Sequence, residues 1–524
     1  MKQKRDRYEM HKYWGKKPSN DLKELIEEFS NEGDTVLDPF SGYGVFCCEA
    51  LILNRNVIAN DLNPIANFLN KQLLNKEIDL DLVQKQWKKI KKEFEPYISK
   101  WFEWDFENEK VQLISILRDD KDIPVKAKFK KKGMSKALEI SLDETKVQEF
   151  LNFERNYQIQ DWYPNNDLIR NSRISAKEGM TVASLFTKRT LACHARLLNL
   201  LEKHSNGNEL DLLKVAFTSN LANCSKLVPP INSRGEMSQG AWMTGFYTGA
   251  TYIENNVLSY FENRFVKTIK GKLDYLQQFG GNGLLNFNQL EYKNGYSVLQ
   301  NDVKKLDIEN ESVDYIFTDP PYGDAVPYFE QSIIWNSWLK FKPDYINEIV
   351  ISDSKTRNKK TSEFEVEINQ AFSEIRRVLK KGKFFSLTYH SLSGLEWKAI
   401  TNACIKNGFS LYDFEWLVQK SFTPRQINRL KSVKGDVLVT FIKSDLPEGL
   451  TQKTDSEIKQ LFIGKVNDWL KDKPLDTNEI FLKIMKMVFS EKLLIGNVDL
   501  LKILTENFTF SDSQKWTVYE QCKV

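Results

Sequence analysis

The first 75 residues alternate between helix-like and strand-like patterns of apolar positions. Residues 19–29 carry leucine, isoleucine and phenylalanine at helical spacing. Residues 34–37 and 56–60 are short apolar runs typical of buried strands, and residues 45–53 between them favour a second helix. Strand, glycine-rich turn, helix and strand is the order of a nucleotide-binding βαβ unit. The pattern therefore predicts an α/β sheet that begins near the start of the chain.

This pattern stops near residue 75 and returns near residue 290. The intervening residues are charged and rich in helical spacing, except that residues 125–142 alternate like a hairpin around Lys131-Lys132-Gly133. Strand-like runs then continue to Val437–Phe441, and only helical segments follow. We predict one α/β domain built from residues 1–75 and 290–445, interrupted by a mostly helical insertion, 76–289, and followed by a separate helical region, 446–524.

Composition narrows the class of protein without indicating a partner. The chain has 524 residues, enough for two to four domains, and 41% hydrophobic residues provide for sizeable cores. Its 75 basic and 71 acidic residues nearly balance, which neither requires nor excludes nucleic acid. Six cysteines without a C-x-x-C pair argue against a zinc site and are typical of a reducing cytoplasm. Without a long apolar run, we expect neither a signal peptide nor a membrane span.

The first motif with chemical potential is DPFSGYG, residues 38–44, which follows the first predicted strand. Glycines allow the backbone to turn sharply and to approach a ligand that a side chain would block. The Asp38 carboxylate can accept a hydrogen bond from an ammonium group, and Asp61, which closes the next strand, can hold ribose hydroxyls. Considered alone, the motif is also compatible with a tight turn in any α/β protein.

The second motif is TDPPY, residues 318–322, again directly after an apolar strand. The amine of a nucleobase is a weak nucleophile, because its lone pair is delocalised into the ring. The Asp319 carboxylate and the Pro320 carbonyl can accept its hydrogens, successive prolines stiffen that arrangement, and Tyr322 offers a flat face for an extruded base. Considered alone, this motif is also compatible with a proline-stiffened turn.

Together the two motifs resemble those of the DNA amino-methyltransferases, which act on N6 of adenine or N4 of cytosine. HKYWGKKP, residues 11–18, resembles the H-x-Y-x-x-K-x-P element that precedes the first motif in many of them. The resemblance covers about residues 1–75 and 290–445, and it implies a Rossmann-like sheet with S-adenosylmethionine as methyl donor. It implies as cofactor-binding residues His11, Tyr13, Lys16, Pro18, Asp38, Pro39, Phe40, Gly42, Gly44, Asp61 and Asp302, and as catalytic residues Asp319, Pro320, Pro321 and Tyr322.

The order of the motifs resembles the arrangement in which the insertion recognises the target DNA. Basic residues in the insertion fit contacts with DNA phosphates, although runs of lysine are also common on solvated faces. A cysteine-rich zinc ribbon found in a related branch does not transfer, because the insertion lacks the cysteines. The expected phosphate contacts are Lys126, Lys128, Lys130, Lys131, Lys132, Lys188, Arg189 and Arg234. His390, in the late strand region, is interpreted as structural.

Several functions agree with these motifs. We favour a DNA adenine-N6 methyltransferase of a restriction-modification or phage-defence system, since aspartate at position 319 is more typical of adenine enzymes than of cytosine-N4 enzymes. A cytosine-N4 enzyme, a tRNA guanine-N2 methyltransferase and a catalytically idle DNA-binding subunit remain as alternatives. Cytosine carbon-5 chemistry is disfavoured, because no cysteine follows a proline. The chain shows no endonuclease signature, so we expect any nuclease to act in trans.

Overall fold

The start of the chain forms the predicted α/β unit. The computed structural model describes residues 5–131, 133–134, 136–279, 295–389, 395–417, 436–511 and 514–518. Helix α1 buries its apolar positions, among them Ile26 and Phe29, as the helical spacing predicted. The elements are α1 (Ser19–Phe29), β1 (Thr35–Asp38), α2 (Val45–Ile52), β2 (Asn56–Asn60) and α3 (Pro64–Leu74).

The insertion contains an antiparallel sheet in addition to its helices. The predicted hairpin is confirmed as β5 and β6, in which Lys126 pairs with Ser141, but the other strands were not predicted. β4 pairs with β3 and β7 along one edge and with β5 along the other. The elements are α4 (Leu80–Phe102), β3 (Glu103–Phe106), β4 (Glu109–Asp119), β5 (Pro124–Lys130), β6 (Leu138–Ser141), α5 (Glu144–Asn156), α6 (Lys188–His204), α7 (Gly207–Leu221), β7 (Thr251–Asn255) and α8 (Val257–Gln277).

The strands after the insertion complete the sheet that the first residues began. The strand over residues 313–318 is buried along its whole length, in agreement with its continuous apolar run, whereas residues 296–299 and 410–415 of the two edge strands are half-buried or exposed. The elements are β8 (Tyr296–Leu299), β9 (Val313–Thr318), α9 (Tyr328–Trp338), α10 (Thr361–Val378), β10 (Leu379–Tyr389), α11 (Leu395–Lys406), β11 (Phe409–Leu417) and β12 (Asp436–Lys443).

The order of the sheet places the two sequence motifs side by side. The seven strands run β11-β12-β10-β9-β1-β2-β8. β8, β2, β1, β9 and β10 are parallel, whereas β12 is antiparallel to both of its neighbours. Val36 of β1 pairs with Val57 on one side and with Tyr315 of β9 on the other. The strand order therefore reverses between β1 and β9, where doubly wound sheets bind ligands. The predicted Rossmann-like α/β fold class is confirmed.

The C-terminal region differs from the prediction in two ways. It packs directly on the seven-stranded sheet and on α11: the rings of Phe441 and Phe489 lie 5.1 Å apart, and Trp397 Nε1 donates to Met485 Sδ at 3.1 Å. The region also contains a short hairpin, too brief to produce a recognisable alternation. Among all helices of the described residues, none is long and apolar enough to cross a bilayer. The elements are α12 (Asp455–Asp472), α13 (Thr477–Ser490), α14 (Leu500–Asn507), β13 (Phe508–Phe510) and β14 (Trp516–Val518).

Candidate active site

A cavity lies at the carboxyl ends of β1, β2, β8 and β9, where the strand order reverses. Its empty volume is about 950 Å³ including its open mouth, within the range of small-molecule sites. Most of the predicted site residues line it, whereas four, His11, Pro18, Pro320 and Tyr322, do not. Those on the wall are Tyr13, Lys16, Asp38, Pro39, Phe40, Gly42, Gly44, Asp61, Asp302, Asp319 and Pro321.

The glycines of the DPFSGYG turn make room for neighbouring side chains. Gly44 precedes α2 with φ +84°, and a Cβ there would overlap with the buried amide of Asn70. Gly42 has φ +50°, and its Cβ would lie 3.2 Å from the Tyr13 ring. Asn70 Nδ2 donates to the Gly42 carbonyl at 2.9 Å and so holds the turn in place. The glycines are thus required by packing within the protein, in addition to the ligand approach that the sequence suggested.

Three acidic residues follow the ends of neighbouring strands and face this cavity. Asp61 accepts hydrogen bonds from the backbone N–H of Gly42 at 2.9 Å and of Asn63 at 2.8 Å, and burial raises its pKa to about 6. Asp38 accepts from the Phe40 N–H at 3.1 Å, and burial raises its pKa as well. Asp302 lies beyond them on the wall formed by β8. This row of acceptors suits a ligand that presents several hydrogen-bond donors and a positive charge.

The segment 11–18 contributes only some of its predicted residues to the wall. Lys16 Nζ donates to the carbonyls of Tyr8 at 2.8 Å and His11 at 2.6 Å, and burial lowers its pKa to about 7. His11 is buried away from the cavity, edge-to-face with Trp335, and burial lowers its pKa to about 3. Pro18 is exposed at the start of α1. His11 and Pro18 therefore do not line the cavity in this structure, where both residues shape the segment.

The TDPPY motif, residues 318–322, is held by residues that the sequence analysis missed. Asp319 lies on the wall at the end of β9 and accepts hydrogen bonds from the hydroxyls of Thr388 and Tyr322. The Lys17 ammonium lies 3.1 Å from Asp319 Oδ2. Tyr322 is 6% exposed, so the ring predicted to stack on a base is packed inside the protein here, and Pro320 is also buried. Lys17 belongs to the HKYWGKKP element, but it occupies a position that the H-x-Y-x-x-K-x-P pattern leaves variable.

Helix α9, which follows the catalytic motif, supplies further residues to the wall. The Tyr328 ring stacks on Tyr13 with centroids 6.3 Å apart and planes at 22°. Asn63 Nδ2 donates to Ser332 Oγ at 2.9 Å, which links the end of β2 to α9. α9 is largely buried around most of its circumference, so its sequence carries no one-sided apolar stripe that would have identified the face turned to the cavity.

The predicted phosphate contacts divide into buried and exposed residues. Arg189 is 1% exposed and pairs with Glu154 at 3.0 Å inside a buried cluster that also holds Arg118 and Glu254, so its predicted contact with DNA is wrong. Lys128 pairs with Glu139 at 2.8 Å. The remaining residues behave as follows: Lys126 pairs with Glu236, Lys131 pairs with Glu107, Lys188 donates to the Arg155 carbonyl, Lys130 and Arg234 are exposed, and Lys132, like His390, lies outside the described residues.

Comparison with known proteins bears on the N-terminal part of the site. Residues 1–67 match the model of a family described as DNA methylase, and this range includes the segment 11–18, the DPFSGYG turn and Asp61. The match confirms the predicted family over this segment, which is a small N-terminal part of the chain. No curated protein sequence matches the chain.

Solved structures of methyltransferases align with parts of the chain. A methyltransferase in complex with a Haloferax volcanii methyltransferase activator has 11% identity and a TM-score of 0.17, over 30% of this chain and 63% of that one. A SAM-dependent methyltransferase from Methanosarcina mazei has 11% identity and a TM-score of 0.18, over 33% and 77%. Geranyl diphosphate C-methyltransferase from Streptomyces coelicolor has 8% identity and a TM-score of 0.18, over 57% and 98%. Because these TM-scores are low, the strand order is what carries the fold assignment.

Proposed function

We propose that this protein, whose first 67 residues match the DNA methylase family, is an S-adenosylmethionine-dependent methyltransferase that methylates an exocyclic amine of a base in double-stranded DNA. N6 of adenine is the favoured target, and N4 of cytosine is the second candidate. The observation that carries the proposal is the position of Asp319. Its carboxylate follows β9 and faces the same cavity as the glycine turn after β1 and Asp61 after β2. An acceptor for an amine hydrogen thus adjoins the proposed cofactor site.

The residues of the cavity fit S-adenosylmethionine. Asp38, Asp61 and Asp302 lie at the carboxyl ends of three neighbouring strands, β1, β2 and β8. Neighbouring strands of a sheet lie about 4.8 Å apart, so the three carboxylates form a spaced row. The cofactor carries matching groups in the same order: an ammonium, a ribose diol and an adenine amine. We propose that Asp38 faces the ammonium, Asp61 the ribose and Asp302 the adenine. Tyr13 and Phe40 supply the apolar surface between the acidic groups. When bound, the cofactor supplies an electrophilic methyl group on its sulfonium.

Asp319 is proposed to orient the target amine. Its carboxylate accepts a hydrogen bond from the amine and so favours a pyramidal nitrogen whose lone pair points toward the methyl group. The amine gives up one proton as it is methylated. The Pro320 carbonyl, in the next peptide, is proposed to accept the second hydrogen. Thr388, on the neighbouring strand β10, donates a hydrogen bond to Asp319 and so fixes the orientation of the carboxylate. The acceleration would come from positioning and from fixed hydrogen bonds in a site sheltered from water.

The biological setting is part of the proposal. Exposed basic residues of the insertion, Lys130 and Arg234 among them, are proposed to contact DNA phosphates, and the insertion to recognise the target sequence. A DNA methyltransferase with such an insertion suits a restriction-modification or phage-defence system in the cytoplasm, with any endonuclease supplied in trans. Five buried cysteines occur as free thiols in the described residues, in agreement with a reducing compartment.

The proposal is tested by incubating the protein with S-adenosylmethionine carrying a tritiated methyl group and with unmethylated genomic DNA. After digestion, the labelled nucleoside is identified by chromatography, and sequencing of the modified DNA gives the recognition site. We expect N6-methyladenine; N4-methylcytosine would confirm the DNA amine and change the base. Asp319→Ala should reduce turnover at least about 100-fold and leave cofactor binding unchanged. The matched control Asp472→Asn, which alters an exposed carboxylate at the end of α12, should keep full activity.

The same assay separates the rival functions. Bulk tRNA is offered in a parallel reaction, and label only in N2-methylguanine of tRNA would overturn the DNA proposal. An absence of label from both acceptors, with the cofactor bound normally, would favour an idle DNA-binding subunit. Retained methylation by Asp319→Ala would show that this carboxylate is not the catalytic acceptor.

A further inference from the structure

Lys17, Asp319 and Tyr322 form a closed triangle of hydrogen bonds at the cavity. The Lys17 ammonium lies 3.1 Å from Asp319 Oδ2 and donates to the Tyr322 hydroxyl at 3.0 Å. The Tyr322 hydroxyl in turn donates to Asp319 Oδ1. The side chains of Lys17 and Asp319 are only 8% and 14% exposed, although both residues line the cavity wall. A lysine this buried is unusual unless it is paired, and here its partner is the proposed catalytic carboxylate.

The backbone of the N-terminal segment is shaped to bring Lys17 to this position. Gly15 has φ +73°, and a Cβ on it would lie 3.2 Å from Asp319 Oδ2, so the segment passes directly beside the carboxylate. The two adjacent lysines, Lys16 and Lys17, therefore make different contacts. Lys16 donates to the carbonyls of its own segment, whereas Lys17 reaches across to the end of β9. The contact between Lys17 and Asp319 therefore follows from a specific turn of the chain.

The Tyr322 hydroxyl makes the same pair of hydrogen bonds as the edge of an aminated base. It donates to Asp319 and accepts from Lys17. On the Watson–Crick edge of adenine, the N6 amine is a donor and the adjacent ring nitrogen N1 is an acceptor. Cytosine presents the same order in its N4 amine and N3. A base that replaced the Tyr322 hydroxyl would therefore find its donor opposite Asp319 and its acceptor opposite Lys17.

We propose that Lys17 contacts the target base, donating to the ring nitrogen beside the amine while Asp319 accepts from the amine itself. In the base-free protein the Tyr322 hydroxyl fills this place, and the ring must move out when a base enters, which frees its face for stacking. The proposal rests on the proposed function and adds a second point of base recognition to it. The Watson–Crick edge of guanine presents two neighbouring donors, N1–H and the 2-amine, so Lys17 selects against that edge.

The test compares two duplexes that contain the recognition site obtained from the methylation experiment. One carries adenine at the target position, and the other carries 1-deazaadenine, in which a C–H replaces N1. If the target is cytosine, the two duplexes carry cytosine and 3-deazacytosine instead. The ratio of kcat/KM for the two duplexes is measured for the wild-type protein and for Lys17→Met, Lys17→Arg and Lys23→Met. Lys23 is a half-buried lysine of α1 that pairs with Glu27 at the surface and does not line the cavity, and it provides the matched control.

We expect the wild-type protein and Lys23→Met to prefer adenine over 1-deazaadenine by the same ratio. In Lys17→Met this ratio should fall by about 10-fold or more, because a hydrogen bond in a paired readout of a base contributes discrimination of that order. Lys17→Arg should restore part of the ratio. An equal ratio in Lys17→Met and the wild-type protein would overturn the inference and leave the proposed function intact. A wild-type protein that methylates no DNA would overturn both.

A second comparison needs no variant and applies if Lys17→Met does not fold. The wild-type protein is assayed on duplexes with 1-deazaadenine and 3-deazaadenine, which lack ring nitrogens on different sides of the base. We expect the loss of kcat/KM to be about 10-fold greater for 1-deazaadenine, whose missing nitrogen adjoins the amine. Equal losses would overturn the contact between Lys17 and the ring nitrogen.

Discussion

Replacement of Gly44 by alanine tests the packing of the cofactor turn most directly. Gly44 precedes α2 with φ +84°, and the new Cβ would overlap with the Asn70 side chain. Asn70 is completely buried, and its Nδ2 lies within hydrogen-bonding distance of Ser41 Oγ at 3.2 Å and of the carbonyls of Gly42 at 2.9 Å and Ala66 at 3.0 Å. The substitution must therefore displace an amide that holds the turn and α3 together.

The magnitude follows from two contributions. An alanine in the left-handed region costs about 1–2 kcal/mol. Displacement of the Asn70 amide adds about 2–3 kcal/mol, because a buried polar group loses its hydrogen bonds. Gly33 provides the matched control, since its φ is +86° and a Cβ there meets nothing within 4 Å. We expect a loss of about 3–5 kcal/mol for Gly44→Ala and only the first contribution, about 1–2 kcal/mol, for Gly33→Ala.

Urea unfolding of both variants beside the wild-type protein measures this difference, and calorimetric titration with S-adenosylmethionine measures its effect on the cofactor site. Gly44→Ala should also weaken cofactor binding at least about 10-fold, because each 1.4 kcal/mol of distortion corresponds to a factor of ten. Gly33 does not line the cavity, so Gly33→Ala should bind normally. Equal stabilities of the two variants would refute the role assigned to Asn70.

Three further predictions concern the cofactor site, the buried ion cluster and the C-terminal region. Burial raises the pKa of Asp61 to about 6, so its carboxylate gains a proton as the pH falls through that value. Calorimetry should show weaker cofactor binding at pH 5 than at pH 7 in the wild-type protein and a smaller difference in Asp61→Asn. An equal difference in the two proteins would show that Asp61 is not the group responsible for the pH dependence. In urea unfolding, Arg189→Met should cost about 3–5 kcal/mol, because the two buried carboxylates of Glu154 and Glu254 are then left with the single positive charge of Arg118, while Lys188→Met should cost below about 0.5 kcal/mol; a stable Arg189→Met with weaker DNA binding would restore the original assignment. The buried ring of Phe481 in α13 packs on Trp397 of α11 with centroids 5.6 Å apart, so Phe481→Ala should cost about 3–5 kcal/mol and lower the unfolding midpoint of the seven-stranded sheet itself; a separate transition for the C-terminal helices would contradict the shared core.

Local patterns predicted the elements whose partners are close in the chain. The apolar spacing of α1 indicated residues 19–29, which are the bounds of the helix in the structure. The sheet of the insertion was largely missed, because β3 has only four residues, too few for a recognisable alternation, and because β4 pairs with β7 from a distant part of the chain. The helices after residue 445 were recognised, but a helical pattern does not reveal which surface will cover its apolar face.

In the candidate site, too, local patterns predicted some residues, whereas contacts between distant parts of the chain were missed. Asp38, Asp61 and Asp319 each end or follow a strand, so their common edge of the sheet followed from the order of strands and turns. Lys17 and Thr388 were missed, because their contacts with the Asp319–Tyr322 segment depend on how distant parts of the chain meet. The burial of Tyr322 was also unexpected, since the motif indicates a stacking surface and not the hydrogen bonds that hold it inside the protein without a base.

The pairing of β1 with β9 has a consequence for how the protein is made. Val36 pairs with Tyr315, so the two strands that carry the cofactor turn and Asp319 are separated by the whole insertion. At a synthesis rate of about 5–20 residues per second, the first strand emerges from the ribosome roughly 15–60 s before its neighbour. During this time β1 and β2 present an open sheet edge, a surface prone to association. The candidate active site is therefore completed only after the insertion, the segment proposed to recognise DNA, has been synthesised.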